Sequence, residues 1–201
     1  FDPNGNMTAK GANTFAYDFE DRLKQSTINS TLSQYQYDGV GNRLAKTAGA
    51  TTTRYVLDLN SRLSKVLAET NASNTISAYY VYGLGLIARI QPDGAARYYH
   101  YDSRGSTVGL TDATGAITDK YAYDSFGKLV NSQGSTANPF KYVGRDGGMD
   151  AGNGLQYIRA RYYDPEVGRF VSKDPKAGND NDGQSLNRYA YGLNNPVVLI
   201  D

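Results

Sequence analysis

Cysteine is missing from the 201 residues, and histidine occurs once, at His100. The first absence excludes disulfides, thiolate nucleophiles and thiolate metal sites, and the second leaves zinc chemistry almost without ligands. No metal and no cofactor is expected. Charge of one sign is lacking too: 21 basic against 20 acidic side chains leave a net charge of +1, so the chain has no electrostatic footprint for a nucleic-acid partner. No apolar run approaches the roughly 18 residues of a membrane-crossing helix. The opening FDPNGNMTAK has neither an initiator Met nor the apolar stretch of a signal peptide, and is expected to be an internal piece of a longer chain. Tryptophan is absent and Met occurs twice, whereas Tyr reaches 18 and Gly 22. Tyr favours half-buried pleated surfaces, and Gly with Asn and Asp supplies the positive-φ positions of tight turns. The balance points to an all-β chain with many short turns, of a length suited to one ordinary domain.

Aromatic-aspartate pairs set a register: FAYDFEDRL (15–23), YQYDGVGNRL (35–44), YVLDLNSRL (55–63), YHYDSRGSTV (99–108) and YAYDSFGKLV (121–130). Tyr17, Tyr37 and Leu57 are 20 residues apart, and Tyr82, Tyr101, Tyr123, Tyr142 and Tyr163 follow at 25, 19, 22, 19 and 21. A drifting period near twenty is the mark of a repeat architecture. FDPNGNM and YVYGLGL are degenerate members, and NRYAY (187–191) is a last echo. Within a unit, Tyr-x-Tyr is the alternation of a strand, Asp-x-x-Gly a tight turn, and Arg-Leu the start of the returning strand. Roughly eight such hairpins, about sixteen strands, are expected to pair into one long, twisted, mostly antiparallel sheet. The Tyr stripe reads as structural, each same-face cross-strand pair contributing about 0.2–1 kcal/mol; a platform for carbohydrate is the alternative. An open arc leaves two sheet edges, to be managed by self-association or by coverage from residues 145–201.

Most other motifs read as structure. Asp38, Asp102 and Asp124 are turn formers, and Asp164 in YYDP suits a turn stiffened by Pro165. Arg169 and Lys173 are solvated strand charges or partners of a nearby carboxylate. His100 takes the place of a strand aromatic. The glycines of GLGL and DGG lack the following helix and Lys of a phosphate cradle. Asn6, Asn29 and Asn71 fit the glycosylation sequon, which only a eukaryotic secretory route would use. KAGNDNDGQS (176–185) is a loop without the closing Glu of a calcium site.

The Y-D-x-x-G-R/K-L units resemble the YD repeats of Rhs proteins, of the C component of Tc toxin complexes and of teneurins. The resemblance covers essentially the whole chain. Its most specific part is the succession RYYDP, GRF, DP, NRYAY and NNP near the end, which is similar to the Rhs repeat-associated core. It implies YD repeats over 1–144 and a core segment over 145–201. It also implies a spiral β-shell closed by that core around a C-terminal toxin held in cis. The core would release the toxin as an aspartyl-type autoprotease. Carried over by motif, the catalytic pair is Asp174, in SKDP, and Asp201, in NNPVVLID. Two carboxylates brought close share a proton, one polarising the scissile carbonyl while the other activates water. The family would continue past Asp201 with Pro-x-Gly and a scissile bond, so this chain as written cleaves nothing. The implied partners are the toxin, preceding YD repeats, and secretion-system or immunity proteins; the implied location is secreted or at the bacterial cell surface. The alternative is a non-catalytic cell-surface module that binds glycans or a protein partner.

Overall fold

The computed structural model describes residues 1–61, 63–181 and 183–199. Thirteen strands, from β1 (Ala9–Lys10) to β13 (Leu129–Gln133), form one sheet in which each strand pairs antiparallel with its neighbours in sequence. Four short strands, β14 (Met149–Asp150), β15 (Gln156–Ile158), β16 (Arg161–Asp164) and β17 (Arg169–Phe170), form a second antiparallel sheet. Two 3-10 turns, Gly144–Asp146 and Gly192–Asn194, are the helical elements among the described residues.

Each repeat is a hairpin, and its turn is set by the aspartate. Asp38 Oδ1 accepts the N–H groups of Val40 (3.0 Å) and Asn42 (2.8 Å). Asp102 does the same for Arg104 and Ser106, and Asp124 for Phe126 and Lys128. The glycines that close these turns, Gly41, Gly105 and Gly127, have φ of 91°, 82° and 83°, a region that costs a residue with a Cβ. The second Tyr of each unit ties its hairpin to the one before: Tyr37 Oη donates to the Leu23 carbonyl (2.6 Å), Tyr101 to Leu86 (2.6 Å) and Tyr123 to Thr107 (2.9 Å). The strand register slips by one residue just before Tyr17, Tyr37, Leu57, Tyr82, Tyr101 and Tyr123. A bulge at one fixed place in every hairpin bends each the same way, and the sheet curves without closing.

The single sheet of about sixteen strands does not form. After β13, Asn138 turns the chain back under the sheet, its Oδ1 accepting Phe140 N (2.9 Å) and Tyr99 Oη (3.0 Å). Tyr142 and Tyr163, next in the repeat period, leave the sheet for a buried cluster with Ile158, Phe170 and Tyr191. Residues 140–171 thus plug the inner face of the curve.

This plug also changes the expected part of the Tyr stripe. Tyr35, Tyr55, Tyr80, Tyr99 and Tyr121 are buried, so they offer no open carbohydrate platform. Two of them pack their rings on the plug, Tyr35 on Tyr162 (ring centroids 4.7 Å) and Tyr80 on Phe140 (4.9 Å). The intervening return strands set polar side chains directly across from inner-face aromatics, Ser26 from Phe15, Glu69 from Tyr55 and Arg89 from Tyr80. The plug touches both ends of the sheet. Asp164 pairs with Lys10 (2.6 Å) near the first edge, and Glu166 pairs with Lys128 (2.9 Å) near the last. The outer side of β13 is left exposed from Val130 to Gln133.

Candidate functional site

The tightest convergence of the C-terminal motifs is around Asp174. β15 and β16 are joined by Arg159 and Ala160, with Arg159 in the left-handed region at φ 53°, and β16 and β17 by Pro165-Glu166-Val167-Gly168. From β17 the chain runs on between two neighbours: Val171 N donates to Tyr162 O (2.9 Å), Phe170 N to Tyr189 O (3.0 Å), and Asp174 N to Arg188 O (2.9 Å). RYYDP, GRFVSKDP and NRYAY therefore lie side by side, with SKDP where the strand ends.

Both oxygens of the Asp174 carboxylate are engaged. Oδ2 pairs with Arg161 Nη2 at 2.8 Å, and Oδ1 accepts the N–H of Lys176 at 2.8 Å, the turn that Pro175 stiffens. Arg161 is fixed in turn by stacking on Phe170, 3.6 Å from its ring centroid, and by donating to the Arg188 carbonyl (3.1 Å). Arg188 donates to the carbonyl of Asp174 itself. The result is a partly buried carboxylate held in one orientation by Arg161 and the Lys176 N–H, its charge matched by Arg161, on a backbone that Arg188 holds through the Asp174 carbonyl. Asp201, the second residue of the expected pair, lies outside the described residues.

Asp164 occupies a turn: its Oδ1 accepts Glu166 N (2.9 Å) and its carbonyl accepts Gly168 N (2.9 Å). Arg169 contacts Asn187 (3.4 Å), and neither it nor Lys173 pairs with a carboxylate among the described residues. The residue that the sequence reading passed over is Arg161. Its signal was the strand pairing: with Tyr163 opposite Phe170, the side chain two residues before Tyr163 falls beside the stretch just past Phe170. His100 is exposed and bonds across strands to Thr111 Oγ1 (3.0 Å).

Two further carboxyls stand apart on the inner face. Burial pushes the Glu69 carboxyl up, against the pull of Arg89. Burial also raises Asp119, but hydrogen bonds from Thr136 and Thr118 outweigh it and bring that carboxyl below its usual value.

A meander of hairpins with Asp-x-x-Gly turns, bent around an aromatic plug made by its own C-terminal part, defines a segment of a repeat β-shell. The chain belongs to the YD-shell family: the family model described as Teneurin YD-shell matches residues 1–197. It is 38% identical over 208 residues to the tRNA nuclease WapA of Bacillus subtilis strain 168, covering 100% of this chain and 9% of that protein. It is 31% identical over 240 residues to the double-stranded DNA deaminase toxin A of Burkholderia cenocepacia strain H111, covering 100% of this chain and 16% of that one. Among solved structures, the Photorhabdus luminescens Tc holotoxin pore matches with a TM-score of 0.74 at 22% identity, over 98% of this chain and 10% of that one. The chain therefore spans only a small part of the relatives it matches.

Proposed function

We propose that this chain is the closing part of a toxin-carrying shell, in which residues 145–201 form the core and Asp174, with Asp201, cuts the chain between shell and toxin. The observation that carries the reading is the two-sided grip on Asp174: Arg161 from RYYDP holds its carboxylate and Arg188 from NRYAY its carbonyl. A turn aspartate needs only the N–H of Lys176; a reacting carboxylate also needs a fixed direction. Likeness to a nuclease and a deaminase toxin over the full length of this chain supports a toxin as the cargo. The shell would act outside the cell that makes it. Asp174 and Asp201 would share one proton, so that the protonated member polarises the carbonyl and the ionised one takes a proton from water.

The test extends the chain through its native continuation into the following domain. Two fragments are expected, parted a few residues beyond Asp201. Asp174→Asn and Asp201→Asn should each stay intact, at least about a hundredfold slower to cut, with an unchanged circular dichroism spectrum. Asp164→Asn should still be cut, because Asn can make the same turn. A folded Asp174→Asn chain cut at the parent rate would sink the assignment.

A further inference from the structure

A cavity of about 960 Å³ runs between the hairpin tips of the sheet and the plug. Lys65, Arg159, Lys173 and Arg188 line it; none of the four forms an ion pair among the described residues, and the acceptors of Arg159 and Arg188 are backbone carbonyls, which leave the positive charge unmatched. Arg22 and Arg145 line it too, but they are paired with Asp18 and Glu20 and with Asp146. The acidic groups on its wall are therefore largely matched, and the surplus is positive. Arg43 borders the cavity as well, but at 3% exposed, with its guanidinium against Tyr157 and donating to Tyr162 Oη, it belongs to the wall and not to the charge open to a ligand. Above this cationic floor, three successive hairpin tips place Val40, Leu63 and Leu84 at the rim, 85%, 50% and 111% exposed.

We propose that this groove binds an extended acidic peptide in which Asp or Glu alternates with aliphatic residues. In an extended chain successive side chains point to opposite sides, so the carboxylates of such a segment face the floor while its aliphatic side chains reach the rim. Nucleic acid fits less well. The rim carries aliphatic groups rather than exposed rings on which bases stack. The inference goes beyond cleavage and does not depend on Asp174 being reactive.

Fluorescence anisotropy of this chain with a labelled octapeptide of alternating Glu and Leu tests it. Saturable binding that weakens with added salt is expected, with amide shifts in NMR spectra confined to Gly41, Gly85, Gly147 and their neighbours. Lys173→Gln should weaken binding about two- to fivefold and Lys173→Glu further, both with an unchanged melting midpoint. Lys24→Gln, outside the groove, should change nothing. The proposal is overturned if the peptide does not bind, if a Lys-Leu octapeptide binds equally, or if both Lys173 variants bind like the parent. Tighter binding of a single-stranded RNA of equal charge would also overturn it and assign the groove to nucleic acid.

Discussion

The inner face of the curve is not uniformly apolar, and two residues show what that does. Arg43 occupies the position that Leu23 and Leu129 fill in other units, opposite the second Tyr of its repeat. Its guanidinium lies 4.0 Å from the Tyr157 ring centroid and donates to Tyr162 Oη at 3.0 Å, so aromatic faces and hydroxyls stand in for a carboxylate. Glu69, opposite Tyr55, is the reverse case, a carboxyl whose ionised form burial disfavours. A carboxyl raised in the folded state binds its proton more tightly there than in the unfolded chain. Stability is then lost as pH rises from the ordinary glutamate value of 4.5 through the folded pKa. Glu69→Gln removes that loss. In urea titrations the variant should match the parent near pH 4 and exceed it at pH 8, and a variant less stable than the parent at pH 8 would show that the Arg89 interaction outweighs desolvation.

Turns decide the elements, and glycine decides the turns only where its place is crowded or left-handed. Gly115 and Gly127 close equivalent Asp-x-x-Gly turns with φ of 85° and 83°, but a Cβ at Gly115 would meet nothing, while one at Gly127 would lie 2.5 Å from the ring of Tyr142. Gly115→Ala should cost about 1–2 kcal/mol for its backbone alone. Gly127→Ala should cost about 1–3 kcal/mol more, because Tyr142 is packed on all sides. Equal melting midpoints for the two would place Tyr142 elsewhere. The hairpins up to Val130 were legible because strand alternation and the turn signal coincide in every unit. Two features were not. In FAYDFEDRL the Leu follows the Asp by five residues and in YQYDGVGNRL by six; that one extra residue moves Leu44 out into the bulge and turns Arg43 inward. The other is Tyr142, which keeps the period but is followed by Val143 where most other units have the turn Asp. Only the inward turn at Asn138 determines that it joins the plug. The grip of Arg161 on Asp174 likewise spans 13 residues of sequence and depends on how the chain runs on past Phe170.

At the scale of the molecule, the plug is what makes one body of a curved meander. A sheet whose strands pair only with sequence neighbours has no long-range backbone bonds of its own, so its first and last hairpins are joined through other residues. Most of that joining falls on 163–171. Asp164 reaches Lys10, the Val171 carbonyl accepts from Met7 N (2.8 Å) and from Tyr17 Oη (3.1 Å), and Glu166 reaches Lys128. Tyr163 sits at the middle, fully buried among Tyr142, Phe170 and Tyr191, with its hydroxyl donating to the Phe126 carbonyl at 2.7 Å. Tyr163→Phe deletes the hydroxyl that bonds Phe126 and should cost about 1 kcal/mol. Tyr163→Ala also empties an aromatic site and should cost about 3–5 kcal/mol. Because the two ends share this anchor, the alanine variant should raise amide hydrogen exchange at both β13 and β1, over 100 residues apart in sequence, before it does so in the central strands. Faster exchange confined to residues adjoining Tyr163 would mean that the arc holds its curvature without the plug, through the repeated bulges alone.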